Sequence, residues 1–416
     1  MEQQRKSSKQ EHNGSKSESL HHRIEPNMKN PPLDFFIFSG EPSGDVIGGH
    51  LVKALQASAP ELSIEGVTGP EMRACNIPSW MPMENFKVMG FTDVFLALPR
   101  LIKAFCSIRD SILERKPKVV ILIDYPGFNL RLAKSLRKRG FKGKIVQYVC
   151  PSIWVHGAHR KTTLVNTLDL LLCIFPFEPK LFSDSKLDAR YVGHPILTAI
   201  SQHARSQNWL ESHHLSENKK LIALFPGSRF SEIKGNLPVM LDVCTQLANS
   251  DDIYSFALSV ANEHTRELLE SIVKEKGWEE QITLVSSKEK FGLMEHAYAA
   301  LACCGTVTLE LAMHEIPTVV SYPVSWINAQ FVRFIIRPQV PFYCSVNIVA
   351  KKEIYREHMY RDLTVESIFK SFSDLLKEEN YNKCKNDCKL ILDSFGIKLG
   401  SHEAAKALCE VVHEEV

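Results

Sequence analysis

One pattern constrains this chain more than any other. A near-continuous apolar run of five to seven residues ends in a turn rich in Gly, Pro or Asp, residues with helical apolar spacing follow, and the unit recurs. Leu33–Ser39 leads into Gly40-Glu41-Pro42-Ser43-Gly44-Asp45, after which Val46, Leu51, Ala54 and Leu55 fall at helical spacing. Val119–Ile123 leads into Asp124-Tyr125-Pro126-Gly127 and a helix over Asn129–Arg139; Lys144–Val149 and Leu168–Ile174 are two more strands. Strands apolar on both faces and separated by helices belong to a parallel sheet covered on both sides. The series restarts at Leu221–Phe225 with the turn Pro226-Gly227-Ser228-Arg229. It continues through Tyr254–Val260, Ile282–Val285, Tyr298–Cys303 and Thr318–Tyr322. The stretch between the halves, His203 to Lys220, is polar and reads as a linker; from about Thr364 onward the pattern is helical.

The expected organisation follows. Residues 1–30 carry few large apolar side chains and read as a disordered tail. Residues 31–200 and 201–390 form two α/β domains, and 391–416 a C-terminal helix. The 50 Lys and Arg against 48 Asp and Glu leave a net charge of +2, which excludes a dedicated nucleic-acid binder. Eleven scattered Cys suit reduced thiols in a cytoplasmic protein rather than a disulfide scaffold. Cys384 and Cys388 stand one helical turn apart without a second pair, so no metal site is expected.

Ligands of open parallel sheets bind beyond the carboxyl ends of the strands, and three turns qualify. Glu41, Ser43, Gly44 and Asp45 lie where a helix start frees backbone N–H groups, an anion-favouring place. Gly227, Ser228 and Arg229 combine close backbone approach, a hydroxyl and a guanidinium able to fork two phosphate oxygens. Gly305 and Thr306 open a helix, with Glu310 one turn further in, placed to accept from ribose hydroxyls or to close a capping box with Thr306. Asp124, directly after an apolar strand, suits a general base or a helix-dipole partner. Between Trp80 and Ile112, Met83, Phe86, Val88, Met89, Phe91 and Phe95 alternate with Lys87, Arg100 and Lys103; this is either core or an apolar surface rimmed by cations. No Asp-x-Asp triplet is present to hold a metal on a diphosphate, and no Gly-x-Gly-x-x-Gly to hold a dinucleotide. A nucleotide-sugar transferase, an epimerase and a non-catalytic nucleotide-sugar binder all remain open from these residues.

The motifs also occur in a particular order: Gly40-Glu41-Pro42-Ser43-Gly44-Asp45, Val88-Met89-Gly90, Ile123-Asp124, Phe128-Asn129-Leu130, Pro151-Ser152-Ile153-Trp154, Phe175-Pro176-Phe177-Glu178, Pro226-Gly227-Ser228-Arg229 with Glu232, and Gly305 to Glu310. From about Leu33 onward the chain resembles the lipid-A-disaccharide synthases. The resemblance implies a GT-B fold: two Rossmann-like domains with parallel sheets facing across a cleft, and a C-terminal helix crossing back to the first. It implies inverting transfer of 2,3-diacylglucosamine from UDP-2,3-diacylglucosamine to 2,3-diacylglucosamine 1-phosphate, without metal or cofactor. It further implies a peripheral seat on the cytoplasmic face of the inner membrane, and leaves room for a homo-oligomer. Asp124 would be the base, and Gly227, Ser228, Arg229, Gly305, Thr306, Glu310 and Asn347 would hold UDP. The turn at Glu41–Asp45 would face the acceptor, and the Met83–Ile112 segment would take acyl chains or membrane. Tyr125 and Gly127 depart from the family pattern and leave Asp124 the only carboxylate in its turn; His156 and Gly157 replace an aromatic and an Arg.

Overall fold

The computed structural model describes residues 33–86, 91–154, 159–203, 206, 208–323 and 342–413. The first sheet holds β1 (Phe35–Ser39), β2 (Ile64–Thr68), β3 (Ser79–Pro82), β4 (Val119–Ile123), β5 (Lys144–Tyr148), β6 (Leu170–Cys173) and β7 (Asp188–Tyr191). The second holds β8 (Lys220–Phe225), β9 (Tyr254–Val260), β10 (Ile282–Ser286), β11 (Ala299–Cys303), β12 (Thr318–Tyr322) and β13 (Arg356–Met359). Their strand orders are β3-β2-β1-β4-β5-β6-β7 and β10-β9-β8-β11-β12-β13, every pair parallel. In both sheets the order reverses beside the first strand. Such a reversal leaves a crevice beyond the carboxyl ends of the two central strands. Those strands are β1 with β4, and β8 with β11.

The helices that matter for the site are α1 (Pro42–Ser58), α2 (Phe91–Arg115), α3 (Pro126–Lys138), α4 (Pro195–Ser201), α5 (Phe230–Ser250), α6 (Lys290–His296), α7 (Thr306–Met313), α8 (Glu378–Phe395) and α9 (Gly400–His413). β1 is buried throughout because its alternate side chains enter two cores. Phe35 and Ile37 pack with Leu51 and Leu55 of α1, whereas Phe36 and Phe38 pack with Ile108 and Ile112 of α2 and Leu132 and Leu136 of α3. The first of these cores is completed from the far end of the chain: Ala404, Leu408, Val411 and Val412 of α9 pack among the residues of β1 and α1. The crossing helix thus begins at Gly400, α8 before it running unbroken through position 391.

Two sequence expectations are corrected here. The polar stretch 203–220 is not a bare linker. Its Trp209 is buried, stacks with His213 and with His296, and donates from Nε1 to Glu289. Met83 and Phe86 are core rather than an acyl surface: both are buried, and Phe86 packs edge-on against Phe38 and Phe128. An aromatic this large is drawn inside whenever the sheet offers a matching face. Val88 and Met89 lie outside the described residues, as do the side chains of Phe91 and Phe95 and residues 1–30, 156 and 157. Further along α2, Leu98 and Ile102 are exposed. No helix among the described residues is long and apolar enough to cross a membrane.

Candidate active site in the interdomain cleft

The turn after β4 is bent by two consecutive left-handed residues, Asp124 (φ 50°) and Tyr125 (φ 42°), before α3 starts at Pro126. Asp tolerates this conformation and Tyr does not, so the turn needs outside support. Buried Asn129 and Gln147 supply it, both side-chain amides donating to the Asp124 carbonyl. With the backbone held, the Asp124 carboxylate emerges at the carboxyl end of the sheet. Ser39 pairs with Ile123 in register, so the turn after β1 lies beside it, and Ser43 Oγ donates to Asp124 Oδ2 at 3.1 Å. Gly44 permits this approach of α1, since a Cβ there would stand 2.8 Å from Ser39 Oγ.

Glu41 completes the group. Burial and the charge of Asp124 push its carboxyl above the usual range, while the Arg229 guanidinium from the other domain pulls it back. Carboxylates of the first domain therefore face a cation of the second. Asp45, expected to serve the acceptor, does not reach the cleft. It is buried, and its oxygens accept the N–H groups of Gly69, Glu71 and Met72 at the start of a short helix. A carboxylate satisfies those orphan donors better than any exposed position would.

In the second domain the turn after β8 carries Gly227 at φ +122°, where a Cβ would meet Glu232 at 2.5 Å. Glu232 Oε2 accepts the N–H groups of Ser228 and Arg229 at 2.9 and 3.2 Å, so these two backbone donors are already used. What it offers to a ligand is the Arg229 guanidinium, 78% exposed and touching Glu232 only at 3.4 Å. The turn after β11 is the complement. Gly305 caps α7 without any side-chain cap, and a Cβ on it would meet nothing within 4 Å. The space over Gly305 is open, and no capping box forms. Glu310 instead pairs with Lys290 of α6 at 2.8 Å. Nothing in the charged segment around Lys290 marks that lysine in the sequence; helix packing brings it in.

Asn347 is not in the cleft. It is fully buried, donating to the Tyr355 carbonyl and Glu357 and accepting from the N–H groups of Ile354 and Tyr355. Every hydrogen bond its amide can make is spent on folding that loop. His194 lines the cleft but is also engaged in the fold: its Nδ1 accepts the Ile196 N–H at the start of α4, and burial pulls its pKa down to about 3. The Phe175-Pro176-Phe177-Glu178 motif is a staple as well. Glu178 Oε2 accepts the N–H groups of Ile174 and Phe175, and Trp154 Nε1 reaches Oε1. Cys150 and Cys173 lie beside it, their sulfurs and a Glu178 oxygen within 4.8 Å of one another, a cluster not anticipated from the sequence. Cys384 and Cys388 are ordinary core, the Cys388 thiol bonding to the Tyr355 hydroxyl.

Two adjoining cavities result. One, of about 700 Å³, is lined by Ser43 and Asp124 from the first domain and Gly305, Thr306 and Glu310 from the second. The other, of about 450 Å³, is lined by Gly227, Ser228, Arg229 and Tyr322 and shares Lys290, Gly305, Thr306 and Glu310 with the first. Two Rossmann-like sheets whose switch-point turns face each other in this way define a protein of the GT-B class.

Comparison with known proteins is more specific. The family model for lipid-A-disaccharide synthetase matches residues 35–409, and the chain belongs to that family. The lipid-A-disaccharide synthase of Chlamydia muridarum is 39% identical over 356 residues, covering 85% of this chain and 58% of its own length. That of Granulibacter bethesdensis is 32% identical, with 82% and 85% covered. The chain thus spans less than two thirds of the chlamydial relatives. Among solved structures, UDP-GlcNAc 2-epimerase from Neisseria meningitidis bound to UDP-GlcNAc superposes with a TM-score of 0.61 at 12% identity, covering 91% of this chain and 99% of that one. A glycosyltransferase from Rickettsia africae gives 0.55 at 8%, with 93% and 100% covered. At such identities the likeness concerns the fold alone.

Proposed function

We propose that the protein transfers 2,3-diacylglucosamine from UDP to the 6-hydroxyl of 2,3-diacylglucosamine 1-phosphate, giving UDP and a β-1,6-linked disaccharide 1-phosphate. The observation that carries this reading is that Asp124 and the Gly305–Thr306 helix start line one cavity from opposite domains. Asp124 takes the proton from the acceptor hydroxyl as its oxygen attacks the anomeric carbon from the face opposite UDP, which inverts that centre. Ser43, bonded to one carboxylate oxygen, aims the other. The bond to UDP breaks, and the charge that develops on the diphosphate meets the first N–H groups of α7 and the Arg229 guanidinium, fixed donors that need no reorganisation. Glu310, with one oxygen on Lys290, accepts from ribose through the other. Gly227 and Ser228 shape the same wall. Leu98 and Ile102, flanked by Arg100 and Lys103, support a peripheral seat on an anionic membrane surface.

The test is transfer by the purified full-length protein in mixed micelles, scored as disaccharide and UDP formed. Asp124→Asn keeps the left-handed turn, since Asn adopts it readily, and should lower kcat by about 10²–10⁴-fold with the UDP inhibition constant retained. No transfer by the wild type, or near wild-type turnover by Asp124→Asn, overturns the reading. Chelation by EDTA should leave the rate unchanged.

A further inference from the structure

The larger cavity holds more than a sugar's worth of apolar wall. On α1, Ser43, Val46, Ile47 and His50 stand at helical spacing and form one face. Ser43 at its start touches Asp124, whereas Val46 and Ile47 line the same cavity with hydrocarbon. Phe175 just past β6, Ile196 and Ala199 of α4 and Phe291 of α6 line the same cavity, with His194 among them, and the lining is mostly apolar. Val46 is 46% exposed, an apolar side chain held open toward the cleft.

A hexose cannot satisfy its hydroxyls against such a wall, and an unpaired hydroxyl there is costly. The diphosphate has its own place beside Arg229 in the smaller cavity. The two cavities meet at Gly305, Thr306 and Glu310, so whatever is attached to the diphosphate enters the larger one at its polar end. We infer that the apolar part of this cavity seats a fatty acyl chain of the donor sugar, and that Val46 and Ala199 set the chain length accepted. The inference rests on the reaction proposed above and moves the chain away from Met83 and Phe86, which are core.

The volume, about 700 Å³, is fixed by packed elements on several sides, so a methylene seated there counts and one beyond its end does not. Burial of each methylene stabilises by roughly 0.8 kcal/mol, so shortening the donor's chains should lower wild-type kcat/KM about fourfold per seated methylene. Ala199→Phe fills the cavity from α4. Val46→Trp fills it from an exposed position where the substitution leaves the core untouched. Both should cut the preference for long over short donor chains at least tenfold, with the UDP inhibition constant unchanged as the measure of an intact fold. The same preference is read without turnover, by displacement of UDP with donors of graded chain length. Wild-type chain preference in both variants overturns the inference. A wild type that forms no disaccharide overturns the proposed reaction instead, and the displacement series then still decides whether the cavity seats an acyl chain.

Discussion

Replacing Glu178 by Gln should change how the stability of the first domain depends on pH. The carboxyl is fully buried, and among the described residues no ion pair reaches it. Burial pushes its pKa from the ordinary 4.5 up to about 7, against the pull of the Phe175, Trp154 and Ile174 N–H groups. Between those two values the folded chain holds a proton that the unfolded chain has released. Raising the pH through that window therefore favours unfolding, and this contribution is largest below 4.5 and gone above 7. At about 1.4 kcal/mol per unit of pKa displacement, the interval amounts to about 3 kcal/mol. His194 works in the opposite direction: its pKa is pulled down from 6.5 to about 3, so its contribution is present above 6.5 and lost as the pH falls. The two slopes oppose each other between 4.5 and 6.5, and the wild-type profile alone is uninformative. Glu178→Gln retains an acceptor for the Ile174 and Phe175 N–H groups and turns an amide toward Trp154, a cost that does not vary with pH. Urea unfolding of both proteins across pH 4.5 to 7 should show the variant gaining about 3 kcal/mol on the wild type as pH rises. A difference that stays constant across the window means the carboxylate is ionised in the fold throughout, and the reasoning fails.

Leu408→Ala, at a fully buried position of α9 inside the first domain's core, should cost about 2–5 kcal/mol; a loss under 1 kcal/mol in chemical unfolding would mean α9 is not docked there. Arg229→Ala should raise the UDP inhibition constant about ten- to hundredfold, the value of a charge-assisted hydrogen bond; unchanged inhibition removes Arg229 from the diphosphate. Gly227→Ala forces a Cβ to within 2.5 Å of Glu232 at φ +122°. Calorimetry should show about 1–3 kcal/mol of destabilisation, with weaker UDP binding as Glu232 moves; wild-type values for both would show that the turn relaxes freely.

The strands that the sequence makes legible are those buried on both faces, β1, β4, β5, β6, β8, β9, β11 and β12 among them. β2, β3, β7 and β13 escape such a reading because Ile64–Thr68, Ser79–Pro82, Asp188–Tyr191 and Arg356–Met359 mix polar with apolar residues. β3, β7 and β13 are edge strands, and an edge needs no continuous apolar run. Among site residues, Asp124, Ser43, Arg229, Gly305 and Thr306 line the cavities, whereas Asp45 spends its hydrogen bonds on backbone 24 to 27 residues away and Asn347 on the loop 7 to 10 residues after it. An Asp that caps and an Asp that acts as a base look alike until their partners are known.

Local chemistry dictates a great deal here: apolar runs too continuous for anything but sheets covered on both faces, and turns of Gly, Ser, Asp and Arg at their carboxyl ends. The choice among those turns belongs to the tertiary structure. A reversal of strand order sets the turn after β1 against the turn after β4, joining Ser43 to Asp124 across 81 residues of chain. A second reversal aligns the turns after β8 and β11. Strand order arises from long-range packing, which no window of sequence contains, and it decides which polar groups meet a ligand and which are spent holding the fold.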